Sequence, residues 1–323
     1  MSLINFATPF IDLLNWTERY TKSVLDGRLE VGKLKALEIE KIEDLKITDI
    51  SGLTSITELI ALYKGLKTLE LCRFFNLESL NLDLFEDLNL ESLVLQNTAI
   101  RCLNGENNSI KKLKIERPKI FFMNELESLL ALESLTIQDS HWMFLSNIDS
   151  AVNLKSLTLK DNNYLESIND ISLLDKLMNL SIENSACLKT LKLKFPSEIQ
   201  YLNLKNLYLS NLDLVSFPKT STLHISSLPN IKDFSALSSL NSLHELWLGQ
   251  DLHLSCFFST VGSLKVDFLH MNNCRMDKSH YIPMVNSLLA DNKEIKCIIL
   301  PAAMKKFEKD LTDVRIKYCL PTS

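Results

Sequence analysis

The sequence predicts a repeat solenoid, an arc built around one long parallel β-sheet. Three observations predict it. First, a Leu-x-x-Leu-x-Leu phrase or a close variant keeps returning, with the first leucine of each Leu-x-Leu at Leu45, Leu69, Leu93, Leu113, Leu135, Leu157, Leu180, Leu202, Leu223, Leu246 and Leu269. Second, successive intervals are 24, 24, 20, 22, 22, 23, 22, 21, 23 and 23 residues, a fixed period that marks repeats stacked side by side. Third, 323 residues would ordinarily split into two domains, whereas a repeat array grows its core along one axis and escapes that limit.

Composition narrows the classes of function. Hydrophobic content is 46% and charge 23%, ordinary for a folded soluble chain. Only 7 glycines are present, which argues against tight glycine turns and against a glycine-rich phosphate loop. The net charge of −5 supplies no basic face, so nucleic acid is not an expected partner. The first residues, Met1-Ser2-Leu3-Ile4-Asn5, lack a basic stretch followed by a clean apolar run, and Glu18, Arg19 and Lys22 come soon after. No secretory signal and no membrane span are read there, and a cytoplasmic monomer is expected, export as an effector remaining open. The cysteines (Cys72, Cys102, Cys187, Cys256, Cys274, Cys297 and Cys319) are odd in number and scattered, which fits free thiols in a reducing compartment.

The elements follow in order. Residues 1–36 stand outside the period and form an N-terminal helical cap: Thr8 can cap, Pro9 takes the first helical position, and Phe10, Leu13, Leu14, Thr17 and Tyr20 recur at helical spacing. Residues 37–275 are the array. Strand side chains alternate, so Leu154, Leu157 and Leu159 point inward while Thr158 and Lys160 point outward. Residues 276–323 break the rhythm and read as a β/α C-terminal cap. Its helices are expected over Ile282–Asp291 and Pro301–Leu311, its strands over Ile295–Leu300 and Val314–Cys319.

The stretch Ile168-x-x-Ile171-x-x-Leu174-x-x-Leu177 and the run Asp49-Ile50-Ser51-Gly52-Leu53 resemble the short-repeat, internalin-like type of leucine-rich repeat, over roughly residues 34–275. The resemblance implies a horseshoe or arc with a concave parallel β-sheet and an irregular convex side of 3₁₀ or extended turns. It also implies an asparagine after each strand that hydrogen-bonds the turn backbone. Asn162 fits that rule, and Thr98, Ser140, Ser185, Asp251 and Cys274 are polar or thiol equivalents. Ile50, Phe74, Pro118, Leu207 and Leu228 depart from it, so those turns must be satisfied otherwise. Two out-of-phase copies, Leu77-Glu-Ser-Leu80-Asn-Leu82 and Leu188-Lys-Thr-Leu191-Lys-Leu193, are read as convex-side strands, because the intervals that skip them match the period.

Stacking in register turns equivalent positions into columns. The outward position between the paired leucines reads Lys46, Glu70, Val94, Lys114, Thr136, Thr158, Ser181, Asn203, His224, Trp247, His270. Two residues before the pair, Glu43, Lys67, Glu91, Lys111, Glu133 and Lys155 alternate in sign, as neighbouring strands prefer. The C-terminal end is aromatic: Tyr201, His224, His244, Glu245, Trp247, Phe268 and His270 gather there as the candidate partner-binding residues. An outward Trp and Tyr point to an interface hot spot. The opposing reading has the C-terminal cap fold over and bury Trp247.

No catalytic residues are assigned. Gly-x-Ser-x-Gly, His-Glu-x-x-His and Gly-Lys-[Ser/Thr] motifs are absent. His224 and His270 sit roughly 10 Å apart by strand spacing, too far to share a zinc ion, and no metal or cofactor is expected. The sequence thus describes a non-enzymatic protein-binding module, bacterial in its lysine, asparagine and isoleucine usage. It would serve as a scaffold or adaptor, or as an antagonist such as a toxin-neutralising partner or exported effector. Carbohydrate or small-ligand binding by the aromatic cluster is the alternative.

Overall fold

The computed structural model describes the backbone of residues 44–48 and residues 65–319, apart from 86, 119–125, 146–147, 169–170, 172, 190–197, 213–218, 241–242, 251, 261–264, 272–273 and 275–277. The expected N-terminal helical cap, the run 49–53, Glu43, Asp251 and Leu191–Leu193 lie outside the described residues.

Seventeen strands follow one another among the described residues. They are β1 (Asp44–Thr48), β2 (Thr68–Cys72), β3 (Ser79–Asn81), β4 (Ser92–Gln96), β5 (Cys102–Asn104) and β6 (Lys112–Glu116). Next come β7 (Ser134–Gln138), β8 (Phe144–Leu145), β9 (Ser156–Lys160), β10 (Ser167–Ile168), β11 (Asn179–Ser185) and β12 (Glu198–Leu207). Last are β13 (Lys219–Ser226), β14 (Leu243–Leu248), β15 (Val266–His270), β16 (Cys297–Leu300) and β17 (Ile316–Tyr318). Two helices, α1 (Leu254–Thr260) and α2 (Lys278–Asp291), lie between strands near the C-terminal end.

Thirteen of these strands form one sheet, ordered β1-β2-β4-β6-β7-β9-β11-β12-β13-β14-β15-β16-β17 and parallel at every pairing. Leucine sets the register: Leu69 pairs with Leu93, Leu93 with Leu113, Leu135 with Leu157, and Leu223 with Leu246. These side chains are almost wholly buried, as are the second leucines or isoleucines two residues on. A slip of one residue would move every one of them to solvent, so burial pins the register.

The remaining strands pair as β3 with β5 and β8 with β10, forming two small parallel sheets apart from the main one. The copy at Leu77–Leu82 therefore supplies a return-side strand, Ser79–Asn81, that runs into a 3₁₀ turn at Leu82, with Leu80 and Leu82 buried. The connections otherwise use single turns of 3₁₀ helix, at Leu82–Phe85, Leu126–Ser128, Ile148–Ser150 and Ser235–Ser239.

Each described repeat from β2 to β13 leaves its main strand through a residue with positive φ: Arg73, Asn97, Arg117, Asp139, Asp161, Asn184, Asn206 and Ser227. Asparagine and aspartate tolerate this left-handed conformation better than other side-chain-bearing residues, and they hold five of the eight places. A chain with 7 glycines meets a once-per-repeat demand in this way. The turns stay hydrogen-bonded: the amides of Arg73, Asn97, Asp139 and Asp161 donate to Gln96, Glu116, Lys160 and Glu183 carbonyls at 2.7–2.9 Å.

One residue further on lies the asparagine position. Asn162 is 1% exposed; its Nδ2 donates to the Ile137 carbonyl (2.9 Å), and its Oδ1 accepts from the Ser140 amide (3.0 Å) and hydroxyl (2.6 Å). Cys274 does part of the same work, its thiol lying 3.1 Å from the Leu248 carbonyl. Where the rule is broken, Phe74, Pro118, Leu207 and Leu228 are buried, so apolar packing replaces the hydrogen bonds.

The main sheet runs on past residue 275. Leu269 pairs with Ile298 and Ile298 with Ile316, so β16 and β17 extend the same ladder after α2 has been inserted into the return path. The expected helix over 301–311 is a 3₁₀ segment, Ala302–Phe307.

Two expectations test this fold. Leu157→Ala should lower unfolding free energy by roughly 2–5 kcal/mol through transfer and cavity terms, while Thr158→Ala, on the outward face, should be nearly silent in the same denaturant titration. Asn162→Ala strands a buried amide and a buried carbonyl and should cost about 1–3 kcal/mol by the same measurement, with loss of the far-UV signal unchanged in shape.

Candidate functional site

The seven residues singled out in the sequence lie on four neighbouring strands, β12 to β15. In-register pairing places Asn203, His224, Trp247 and His270 in one outward column and Tyr201, Thr222, Glu245 and Phe268 in the next. The rings make a ladder. Tyr201 meets His224 edge-on at 5.1 Å between centroids, His224 meets Trp247 at 5.1 Å, and Trp247 stacks on His270 at 3.6 Å and 5°. His244 and Phe268 form a separate edge-on pair at 5.1 Å.

One carboxylate sits among the rings. Glu245 Oε2 accepts the indole N–H of Trp247 at 2.9 Å and lies 4.0 Å from His270 Nε2. His270 is 9% exposed, and its Nε2 has no hydrogen-bond partner. Burial pushes both His224 and His270 below the ordinary histidine range; the charge of Glu245 pulls both back in part, and His270 lowers His224 further. Both imidazoles are therefore neutral near pH 7. Burial and the charge of Glu183 raise the Tyr201 phenol.

Beside the ladder lies an open groove of about 510 Å³, lined by Glu183, Asn203, Lys205, His224, Trp247 and Gln250 among others. Glu183 is held by Asn203 Nδ2 (2.8 Å) and Ser181 Oγ (3.1 Å). Gly249 forms part of the groove floor; a Cβ there would meet the Ser226 Cβ at 2.2 Å.

Trp247 is half-buried. Its ring meets its ladder neighbours His224 and His270, its indole N–H is held by Glu245, and β16 and β17 lie beside β15 in the sheet. Sequence reasoning missed Asp267 and Lys296. Asp267 bonds His244 Nδ1 at 2.9 Å and Lys296 Nζ at 2.9 Å. The signal was interrupted: past Lys155 the same column passes through the uncharged Met178, Gln200 and Ser221 before it reaches His244, Asp267 and Lys296. Earlier in that column Lys111 pairs with Glu91 (3.6 Å) and Lys155 with Glu133 (2.8 Å), exposed pairs of the kind that set register and add little stability. Further up the sheet, Glu116 is buried. Burial raises its carboxyl, but hydrogen bonds from Lys114 and Gln96 and the charges of Lys114 and Arg117 outweigh that and hold it low.

All seven cysteines are free, and among the described residues no group of three or more His, Cys, Asp or Glu is placed to hold a metal. No described helix is long and apolar enough to cross a membrane.

The chain is a leucine-rich-repeat solenoid. Its own register shows this, a leucine with a second apolar residue two positions on in each coil from β1 to β15, stacked in one parallel sheet. No protein-family model matches the sequence, and no curated protein matches it. Among solved structures it is similar to an internalin, InlF, from Listeria monocytogenes, at 15% identity and TM-score 0.27 over 85% of this chain and 92% of that one. It is also similar to TLR13 in its complex with ssRNA13, at 15% identity and TM-score 0.32 over 88% of this chain and 62% of that one. At such values neither neighbour assigns a partner or an activity here.

The histidines give a pH expectation. A group whose folded pKa lies below its unfolded value, near 6.5, binds fewer protons when folded, so it contributes stability above that pH and loses it as pH falls. Unfolding free energy should therefore drop between pH 7.5 and 5.5, and His270→Gln should flatten that slope.

Proposed function

We propose that this chain is a non-catalytic binding module whose main-sheet face grips another protein, centred on Tyr201, His224, Glu245, Trp247 and Phe268. The observation that carries the reading is the ring ladder standing beside an open groove on the outward face of the sheet. Rings locked against one another lose little conformational freedom on binding and offer apolar area at once, the property of interface anchors. Neutral histidines suit such a surface, because no charge has to be stripped of water. An adaptor and an antagonist of another protein both fit this reading.

The sugar-binding alternative asks for an aromatic face free to lie on a pyranose ring. Trp247 has one face against His270 at 3.6 Å and the other toward His224 at 5.1 Å, which favours protein over carbohydrate.

Peptides selected from a phage-displayed random library on the immobilised chain test the reading. Trp247→Ala should weaken the selected peptides by about 2 kcal/mol or more with the melting temperature nearly unchanged. Lys114→Ala, six strands away in the ion-paired half, should matter far less. Peptides that bind Trp247→Ala as tightly as the parent chain would move the site elsewhere, and a library that yields no binder would count against a protein-binding face.

A further inference from the structure

Glu245 differs from the acidic groups around it. Asp267 has a lysine and a histidine on its two oxygens, and Glu183 is tied by Asn203 and Ser181. Glu116 has Lys114, Arg117 and Gln96. Glu245 is half-buried, its side chain 33% exposed, and among the described residues it has no lysine or arginine ion pair. Its contacts are the neutral indole N–H and an imidazole nitrogen at 4.0 Å, beyond hydrogen-bond reach. That nitrogen, His270 Nε2, is itself buried and unsatisfied. A carboxylate with uncommitted acceptor capacity thus stands beside an unpartnered ring nitrogen, next to the Trp247 indole it holds and the in-register Phe268 of β15.

We propose that Glu245 and its aromatic surround form a subsite for an arginine side chain presented by the partner protein. This rests on the protein-binding reading and deepens it. A guanidinium is planar, permanently charged and weakly hydrated, and carries donors in a fixed fork. It pairs with a carboxylate through two parallel hydrogen bonds and lies against an aromatic ring; with both faces of Trp247 taken by His270 and His224, that ring is Phe268, the in-register neighbour of Glu245. Lysine fits less well, because a compact ammonium keeps its water and does not stack. Asp267, which meets this ring set through His244, is already neutralised by Lys296 and so does not compete for the cation. Lys205, the cation of the neighbouring groove, stands in the column after the leucine pair on β12, and Glu245 stands before the pair on β14.

The test is a titration of ¹⁵N-tryptophan-labelled protein with N-acetyl-arginine amide, read at the indole resonance of Trp247, which Trp247→Phe identifies among the 3 tryptophans. N-acetyl-citrulline amide, the neutral isostere, and spermidine, a free polyamine, are run in parallel. Expected is a saturable shift with the arginine probe, at least tenfold less response to citrulline and spermidine, and loss of the arginine response in Glu245→Gln, whose melting temperature stays that of the parent. Equal response to arginine and citrulline overturns the proposal, as does an arginine response surviving in Glu245→Gln. A spermidine response equal to that of arginine overturns the guanidinium assignment. If the arginine probe fails while library-selected peptides still lose affinity in Trp247→Ala, the subsite falls and the binding face stands. If both fail, the binding face falls with it.

Discussion

Everything in this molecule depends on one constraint: inward leucines must stack on inward leucines. Leu69, Leu93, Leu113, Leu135, Leu157, Leu180, Leu202, Leu223, Leu246 and Leu269 are all at or below 1% exposure, and each pairs with its counterpart in the next repeat. Apolar burial of that order outweighs the small side-chain preferences on the outer face, so the leucines choose the register and the outward residues inherit it. Ion-paired columns in one half and a ring ladder in the other are both consequences. Neither would exist if a single coil slipped by one residue.

The period made the sheet, the facing of its side chains and the gathering of Tyr201, His224, Trp247 and His270 legible in the sequence. What escaped did so for definable reasons. The sheet's continuation was hidden because β16 and β17 carry Ile298-x-Leu300 and Ile316, and because α2 stretches one interval while the next is short. The left-handed turn residues formed an Asn/Asp column, but Arg73, Arg117 and Ser227 interrupt it, and turn conformation is a weaker signal than apolar alternation. Asn107 is wholly buried and ties the turn by donating to the Leu82 carbonyl and accepting from the Ser109 and Ile110 amides, yet it lies outside the repeated asparagine position.

Within the site, proximity was legible and chemistry was not. A column places Trp247 beside His270; it does not reveal a parallel stack at 3.6 Å or a carboxylate holding the indole N–H. Those follow from rotamers chosen by packing. The result is a surface whose rings brace one another, whose histidines are kept neutral by burial, and whose one carboxylate lacks a cation among the described residues. Rigidity, apolar area and a single uncompensated charge are the ingredients of selective recognition, since a partner without the matching cation would bury that carboxylate unpaired.

The central claim is that recognition occurs on β12–β15 of the main sheet's outer face. Amide hydrogen exchange measured with and without a library-selected peptide tests it most directly. The account predicts slowed exchange in segments covering Glu198–Leu207, Lys219–Ser226, Leu243–Leu248 and Val266–His270, with β3, β5, β8 and β10 on the return side unchanged. Protection confined to those return-side strands would contradict it.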